Sequence, residues 1–246
     1  MKKLIIALVT LLPTMAMASG SNVDYESANI DLHDKASLER GLDSFQKYCS
    51  GCHSTKYQRY ERVATDLGIS FDDMKSKYIY NGTKIGQLMH NAIPSEAAAK
   101  WFGATPPDLT LVARVRGEDW LYTYLKGFYT DTSRPFGVNN TVFPSVGMPH
   151  VLQELQGIQE QVCKTVESDE KDGESQKVCK LTEAKGGTLT AEEYDETVRD
   201  ITNFLAYSAE PVRLERESLG WYVLGFLFIF FIISYLLKKE YWRDVH

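Results

Sequence analysis

Cys49-Ser50-Gly51-Cys52-His53 is the stretch whose reading decides this chain. C-x-x-C-H is the pattern by which c-type haem is attached: each thiol bonds one vinyl group of the porphyrin, and the adjacent histidine sits under the iron. A pair of thiols at this spacing also suits thiol–disulfide exchange, but that chemistry wants a reactive thiolate at a helix N-terminus. Here the helical pattern precedes the motif. Asp34 is placed to cap a helix whose apolar residues Leu38, Leu42, Phe45 and Cys49 fall on one stripe, so Cys49 stands at a C-terminal end.

A second helix is signalled by the capping box Thr190-Ala-Glu-Glu193, with Tyr194, Val198, Ile201 and Leu205 on one face and Pro211 as its stop. One helix running into C-x-x-C-H and a late helix packed across it form the skeleton of a cytochrome c-like haem domain. Shorter helical patterns lie near Ser70–Tyr80, Lys84–Ala92 and Gly117–Gly127, and two Pro- and Gly-containing loops run over Gly103–Leu109 and Ser133–Pro149. No alternation of period two extends over five or more residues. The expected fold is mainly α with long loops.

The two ends place this domain. Residues 1–18 read as a secretory signal peptide: Lys2 and Lys3, an apolar run from Leu4 to Leu12, and the A-x-A site Ala16-Met17-Ala18. Leu219–Leu237 is nineteen residues without a charge, the length of a transmembrane helix. Trp221 and Tyr222 mark one edge, Tyr241 and Trp242 the other. Lys238, Lys239 and Arg243 follow it, whereas Arg213 and Arg216 are interleaved with Glu215 and Glu217. The basic excess puts residues 238–246 in the cytoplasm and residues 19–215 in the periplasm of a bacterial inner membrane.

The exported part is long enough for one domain with a buried core. The whole chain carries a formal charge of -6, and loss of the two leader lysines takes it to about -8. Nucleic-acid binding has no support, because no basic stripe is present. Of the four cysteines, Cys163 and Cys179 flank an insertion rich in Glu and Asp that cannot fold by burial. An oxidising compartment permits a disulfide across its base, stabilising by roughly 3 kcal/mol in the chain-entropy model. The carboxylates Glu167, Asp169, Glu170, Asp172 and Glu174 either steer a basic partner or simply stay solvated.

A haem that carries electrons usually has a second axial ligand, most often methionine. Met74, Met89 and Met148 remain after cleavage. The first two fall on helical patterns and read as packing residues. Met148 lies in Gly147-Met-Pro-His150, where Pro149 restricts the backbone, and is the candidate sixth ligand. His90 and His150 are the nitrogen alternatives.

Three stretches together resemble the cytochrome c1 family. They are Leu32-His-Asp-Lys-Ala-Ser-Leu-Glu-Arg-Gly-Leu42 running on to Tyr48-Cys-Ser-Gly-Cys-His-Ser54, then Gly103-Ala-Thr-Pro-Pro-Asp-Leu109 with Ala113-Arg-Val-Arg-Gly-Glu-Asp119, and Phe204-Leu-Ala-Tyr-Ser-Ala-Glu-Pro211 before the membrane tail. The resemblance implies one covalent haem c in a subunit of a dimeric quinol–cytochrome c oxidoreductase. Electrons would arrive from a Rieske iron–sulfur protein and leave to a cytochrome c, with cytochrome b as membrane neighbour. It also implies that Arg116 pairs with a haem propionate and that Pro106 and Pro107 line the pocket. A membrane-anchored cytochrome c serving a terminal oxidase or another reductase is the alternative in the same chemistry.

Overall fold

The computed structural model describes residues 24–80, 82–91, 93–166 and 176–245. The signal peptide and the acidic residues Glu167 to Glu174 fall outside them. In chain order the elements are α1 (Lys35–Tyr48), β1 (Thr55–Arg59), α2 (Tyr60–Leu67), α3 (Phe71–Lys77), β2 (Leu88–Met89), α4 (Ser95–Phe102), α5 (Val112–Arg116) and α6 (Glu118–Lys126). Then come β3 (Phe128–Thr130), β4 (Val138–Asn140), α7 (Gln153–Gln156), β5 (Gly157–Ile158), β6 (Gln161–Val166), β7 (Gln176–Leu181), β8 (Lys185–Gly186), α8 (Ala191–Ala209) and α9 (Arg213–Tyr241). The fold is mainly helical, and among the described residues the strands form two-stranded pairs.

Helices α1 and α8 start where their caps demand. Asp34 accepts from the Ser37 amide at 3.0 Å, and the Thr190–Glu193 capping box closes both ways. Each then buries the stripe its sequence displays: Leu38, Leu42 and Phe45 on α1, and Tyr194, Val198, Ile201 and Leu205 on α8. The two helices cross at Gly41. A Cβ there would lie 2.0 Å from the Asp200 carbonyl oxygen and 2.8 Å from Phe204 Cβ. Beside the crossing, Phe45 and Phe204 meet with ring centroids 5.5 Å apart. The buried Asp200 carboxylate accepts from Ser37 Oγ at 2.6 Å and from Arg40 Nε at 2.6 Å, so its charge is paired inside the contact.

The N-terminal segment before α1 is strapped across this pair. Arg199 Nε donates to the Ala28 carbonyl, Asn203 Nδ2 to the Asp31 carbonyl, and Ala28 N–H to Asp119 of α6. Met74 and Met89 are buried in the same core, as packing residues should be.

Two expectations are corrected. The Lys84–Ala92 pattern is not a helix: Leu88 and Met89 pair antiparallel with β1. Three apolar residues at helical spacing, with Gly86 between them, do not outweigh the cost of nucleating a helix. An extended ribbon also exists where no period-two pattern announced it. Strands β6 and β7 pair from Gln161↔Leu181 to Val166↔Gln176, with Cys163 directly opposite Cys179 and joined to it by a disulfide. Val162 and Val178 on one face of this ribbon are exposed, as is Cys179 on the other, so neither face is marked by burial. An isolated two-stranded ribbon is marginal in water and gains from a covalent staple.

Helix α9 runs from Arg213 to Tyr241 with a mean hydropathy of 2.2 in its most apolar window, none of it buried. It extends beyond the apolar run at both ends. At about 1.5 Å per residue it exceeds the roughly 30 Å hydrocarbon thickness, so it is long enough to cross a membrane with its charged ends outside the hydrocarbon. Arg213 bonds Glu118 of α6, and Arg216 bonds Glu210, tying the start of this helix to the soluble domain.

Gly41→Ala should lower unfolding free energy by at least about 2 kcal/mol, because the clash with backbone exceeds the helix-propensity gain of ~1 kcal/mol. Chemical denaturation of the detergent-solubilised protein reads this out. The Cys163→Ser/Cys179→Ser variant should speed amide exchange in residues 161–166 and 176–181 while leaving α1 and α8 protected. Hydrogen exchange with mass detection separates the two regions.

Candidate haem site

The end of α1 turns directly into the motif. Cys49 N–H closes the helix on the Phe45 carbonyl at 2.9 Å, and the amides of Cys52 and His53 both return to the Cys49 carbonyl, at 3.0 and 2.9 Å. Cys49 and His53 are buried by this turn, whereas Cys52 is half-buried. The two thiols are not bonded to each other. Burial and the neighbouring Cys52 push the Cys49 thiol up to about 12. A thiol-exchange enzyme needs the opposite shift, so this geometry argues against that chemistry.

His53 is oriented by the loop after α4. Its Nδ1 lies 2.7 Å from the Pro107 carbonyl oxygen. A carbonyl can only accept, so Nδ1 carries the proton and Nε2 keeps its lone pair. Burial pushes the ring below the ordinary histidine range, partly offset by the Pro107 bond and the Asp108 carboxylate. The imidazole is therefore neutral at pH 7, as a metal ligand must be. An N–H donated to a backbone carbonyl is also the usual way a ligating histidine is fixed.

The loop is itself fixed to the residues after the motif. Leu109 N–H donates to the Ser54 carbonyl at 2.8 Å, and Lys56 N–H donates to Asp108 Oδ2 at 2.8 Å. Asn91 adds a side-chain bond to the Cys52 carbonyl and a backbone bond to Ser54 Oγ. Pro106 is half-buried and Pro107 exposed. Pro107 thus acts here through the position of its carbonyl.

Met148 is placed by a different set. Arg116, Trp120, Tyr124 and Phe128 recur every four residues along and just beyond α6. The Arg116 guanidinium lies 5.3 Å from the Trp120 ring centroid, Trp120 stacks on Tyr124 at 5.1 Å, and Tyr124 meets Phe128 edge-on at 5.3 Å. The Tyr124 hydroxyl donates to Met148 Sδ at 3.3 Å. His150 stacks flat on Phe128 at 4.7 Å, and its buried Nε2 has no hydrogen-bond partner among the described residues. Burial pushes this ring down to about 4, so it stays neutral. His90 is exposed at the end of β2. Arg116 is exposed too, with its head free to reach an anion beside the row.

The donor set fits a covalently held haem. Two unpaired thiols and a neutral imidazole with a free Nε2 stand in one turn, and a thioether stands on a separate loop. Among the described residues no group of three or more His, Cys, Asp or Glu is arranged to hold a bare metal ion. In protein prepared without haem, iodoacetamide at neutral pH should label Cys52 well before Cys49. Equal labelling of the two peptides by mass spectrometry would contradict the burial of Cys49.

The sequence matches the Cytochrome C1 family over residues 26–91 and 181–245. The match holds the C-x-x-C-H turn, α1, α8 and the apolar helix, and leaves residues 92–180 outside. Over full length the chain is 55% identical to the cytochrome c1 of Allochromatium vinosum, with 100% of each covered. It is also 44% identical to a protein named ammonia monooxygenase gamma subunit in Nitrosomonas europaea, covering 100% of this chain and 99% of that one. The cytochrome c1 of Rhodospirillum rubrum is 27% identical over 94% of each chain. By this match and by the turn that presents two thiols and one imidazole together, the chain belongs to the cytochrome c1 family, electron-transport proteins that carry one covalent haem c.

Proposed function

We propose that this chain is the cytochrome c1 subunit of a respiratory quinol–cytochrome c oxidoreductase. In this reading Cys49 and Cys52 would hold the haem covalently, and His53 and Met148 would ligate its iron. The observation that carries it is the His53 Nδ1 bond to Pro107, which commits one ring nitrogen and leaves Nε2 uncommitted in the turn that also holds two unpaired thiols. The bound haem supplies one-electron chemistry; the chain supplies ligands and surroundings. His53 offers a neutral nitrogen from a fixed ring, and Met148 a soft sulfur that favours the reduced iron. Arg116, on the row leading to Met148, offers a guanidinium fork to a haem propionate. Pro106 and Pro107 wall the pocket.

The same reading sets the partners. Electrons enter from a Rieske iron–sulfur protein and leave to a cytochrome c, with cytochrome b beside α9 in a dimeric complex. Residues 1–18 are removed on export, the haem domain of residues 19–215 stands in the periplasm, and residues 238–246 lie in the cytoplasm. No side chain need act as nucleophile or general base. A second reading has one specific support, the name of the Nitrosomonas europaea relative, which attaches that protein to a different oxidoreductase. In it the chain is a membrane-anchored haem protein serving another enzyme.

Affinity purification of the tagged chain from its own membranes decides between them. Cytochrome b and a Rieske protein should co-purify in fixed proportion with quinol–cytochrome c reductase activity. A haem-loaded chain recovered without either, but with subunits of another oxidoreductase, would favour the second reading. In the same preparation His53→Ala should abolish the covalent haem seen as a pyridine haemochrome.

A further inference from the structure

The Tyr124 hydroxyl is held against one atom, and that atom is the sulfur of Met148. Its ring is clamped between Trp120, stacked at 5.1 Å and 8°, and the edge of Phe128 at 5.3 Å. The backbone behind it is fixed as well, because the Tyr124 carbonyl accepts from Asn140 Nδ2 at 2.8 Å. The loop that carries Met148 is pinned from both sides. Asn140 Oδ1 accepts from the amides of Val142 and Phe143, and His150 lies flat on Phe128. Arg134 Nη2 holds the Ser145 carbonyl at 2.9 Å. The 3.3 Å contact between hydroxyl and sulfur is thus set by two fixed supports, joined to each other through Asn140 and Phe128, rather than by a floppy side chain.

We infer that Tyr124 is a positioning residue that holds the Met148 thioether by a hydrogen bond and thereby raises the reduction potential of the haem. The inference rests on Met148 being the sixth ligand, as proposed above. A thioether sulfur has two lone pairs. One accepts the phenol proton, and the other remains for the iron. A donated proton draws electron density from sulfur, making it a poorer donor. The ferric ion, which needs donation more, is then disfavoured relative to the ferrous ion. The bond also limits rotation about the methionine side chain, which has many rotamers to choose from when unbound. Nothing else in the site asks for a hydroxyl at this position. Trp120 and Phe128, one turn away on either side, make the same ring contacts without one.

Tyr124→Phe keeps the ring and removes only the donor, so the stack and the fold survive. Equilibrium redox titration of the purified complex should show a lower potential, equivalent to roughly a two- to fivefold fall in the ferrous-to-ferric ratio at fixed ambient potential. The thioether-to-ferric-iron charge-transfer band at the red edge of the visible spectrum should move as well. Both effects should vanish when Tyr124→Phe is made on a Met148→Leu background. An unchanged potential and band in Tyr124→Phe, with the band lost in Met148→Leu, would overturn this inference and leave the ligand assignment standing. A band that persists in Met148→Leu would overturn the ligand assignment, and this inference with it. An equal drop in potential with and without Met148 would show that Tyr124 acts by some route other than the sulfur.

Discussion

The contact between α1 and α8 at Gly41 is the constraint on which the rest of the molecule depends. With hydrogen in place of a side chain, the Asp200 carbonyl comes close enough that a Cβ would sit 2.0 Å from it. That approach lets Phe45 meet Phe204 and lets Ser37 and Arg40 pair the buried Asp200 carboxylate. A charge paired by two donors inside a close helix contact discriminates between correct and slipped packings. A slip of one turn would strand it. Because α1 ends in Cys49, the depth at which this crossing sets α1 is also the depth at which the C-x-x-C-H turn is presented.

From that turn the site is built by backbone carbonyls and amides more than by charged side chains. His53 is aimed by the Pro107 carbonyl, and the loop containing Pro107 is aimed in turn by Ser54 and Lys56. The bonds through the Pro107 and Ser54 carbonyls are directional and join neutral groups, whereas the Asp108 carboxylate that takes the Lys56 N–H is the charged member of this frame. On the other side α6 contributes a row of rings at four-residue spacing. That spacing keeps Trp120 and Tyr124 on one face of α6, and Phe128 at the start of β3 continues the row, which braces the loop of Met148.

Much of this was legible in the residues, and the reasons differ from place to place. The caps at Asp34 and Thr190, the stripe Leu38–Leu42–Phe45 and the apolar run before Lys238 are local codes, each readable within a few residues. The Lys84–Ala92 stretch misled because three apolar residues fit a helical period while the real partner, β1, lies some thirty residues away in sequence. The β6–β7 ribbon escaped notice because both of its faces meet solvent, so burial leaves no alternation to read. The cysteines at its base were the available signal, and they stand directly opposite each other.

The sequence by itself determined the chemistry on offer: two thiols and a histidine at fixed spacing, a thioether in a restricted loop, and one apolar helix at the far end. Short-range order is enough for that, since each element is specified by neighbours within about one turn of chain. Only the tertiary structure decided which nitrogen of His53 is free and that Tyr124 reaches Met148 across 24 positions of chain. These facts depend on contacts between segments remote in sequence. The packing of α1, α6 and α8 creates those contacts, and no local pattern encodes them.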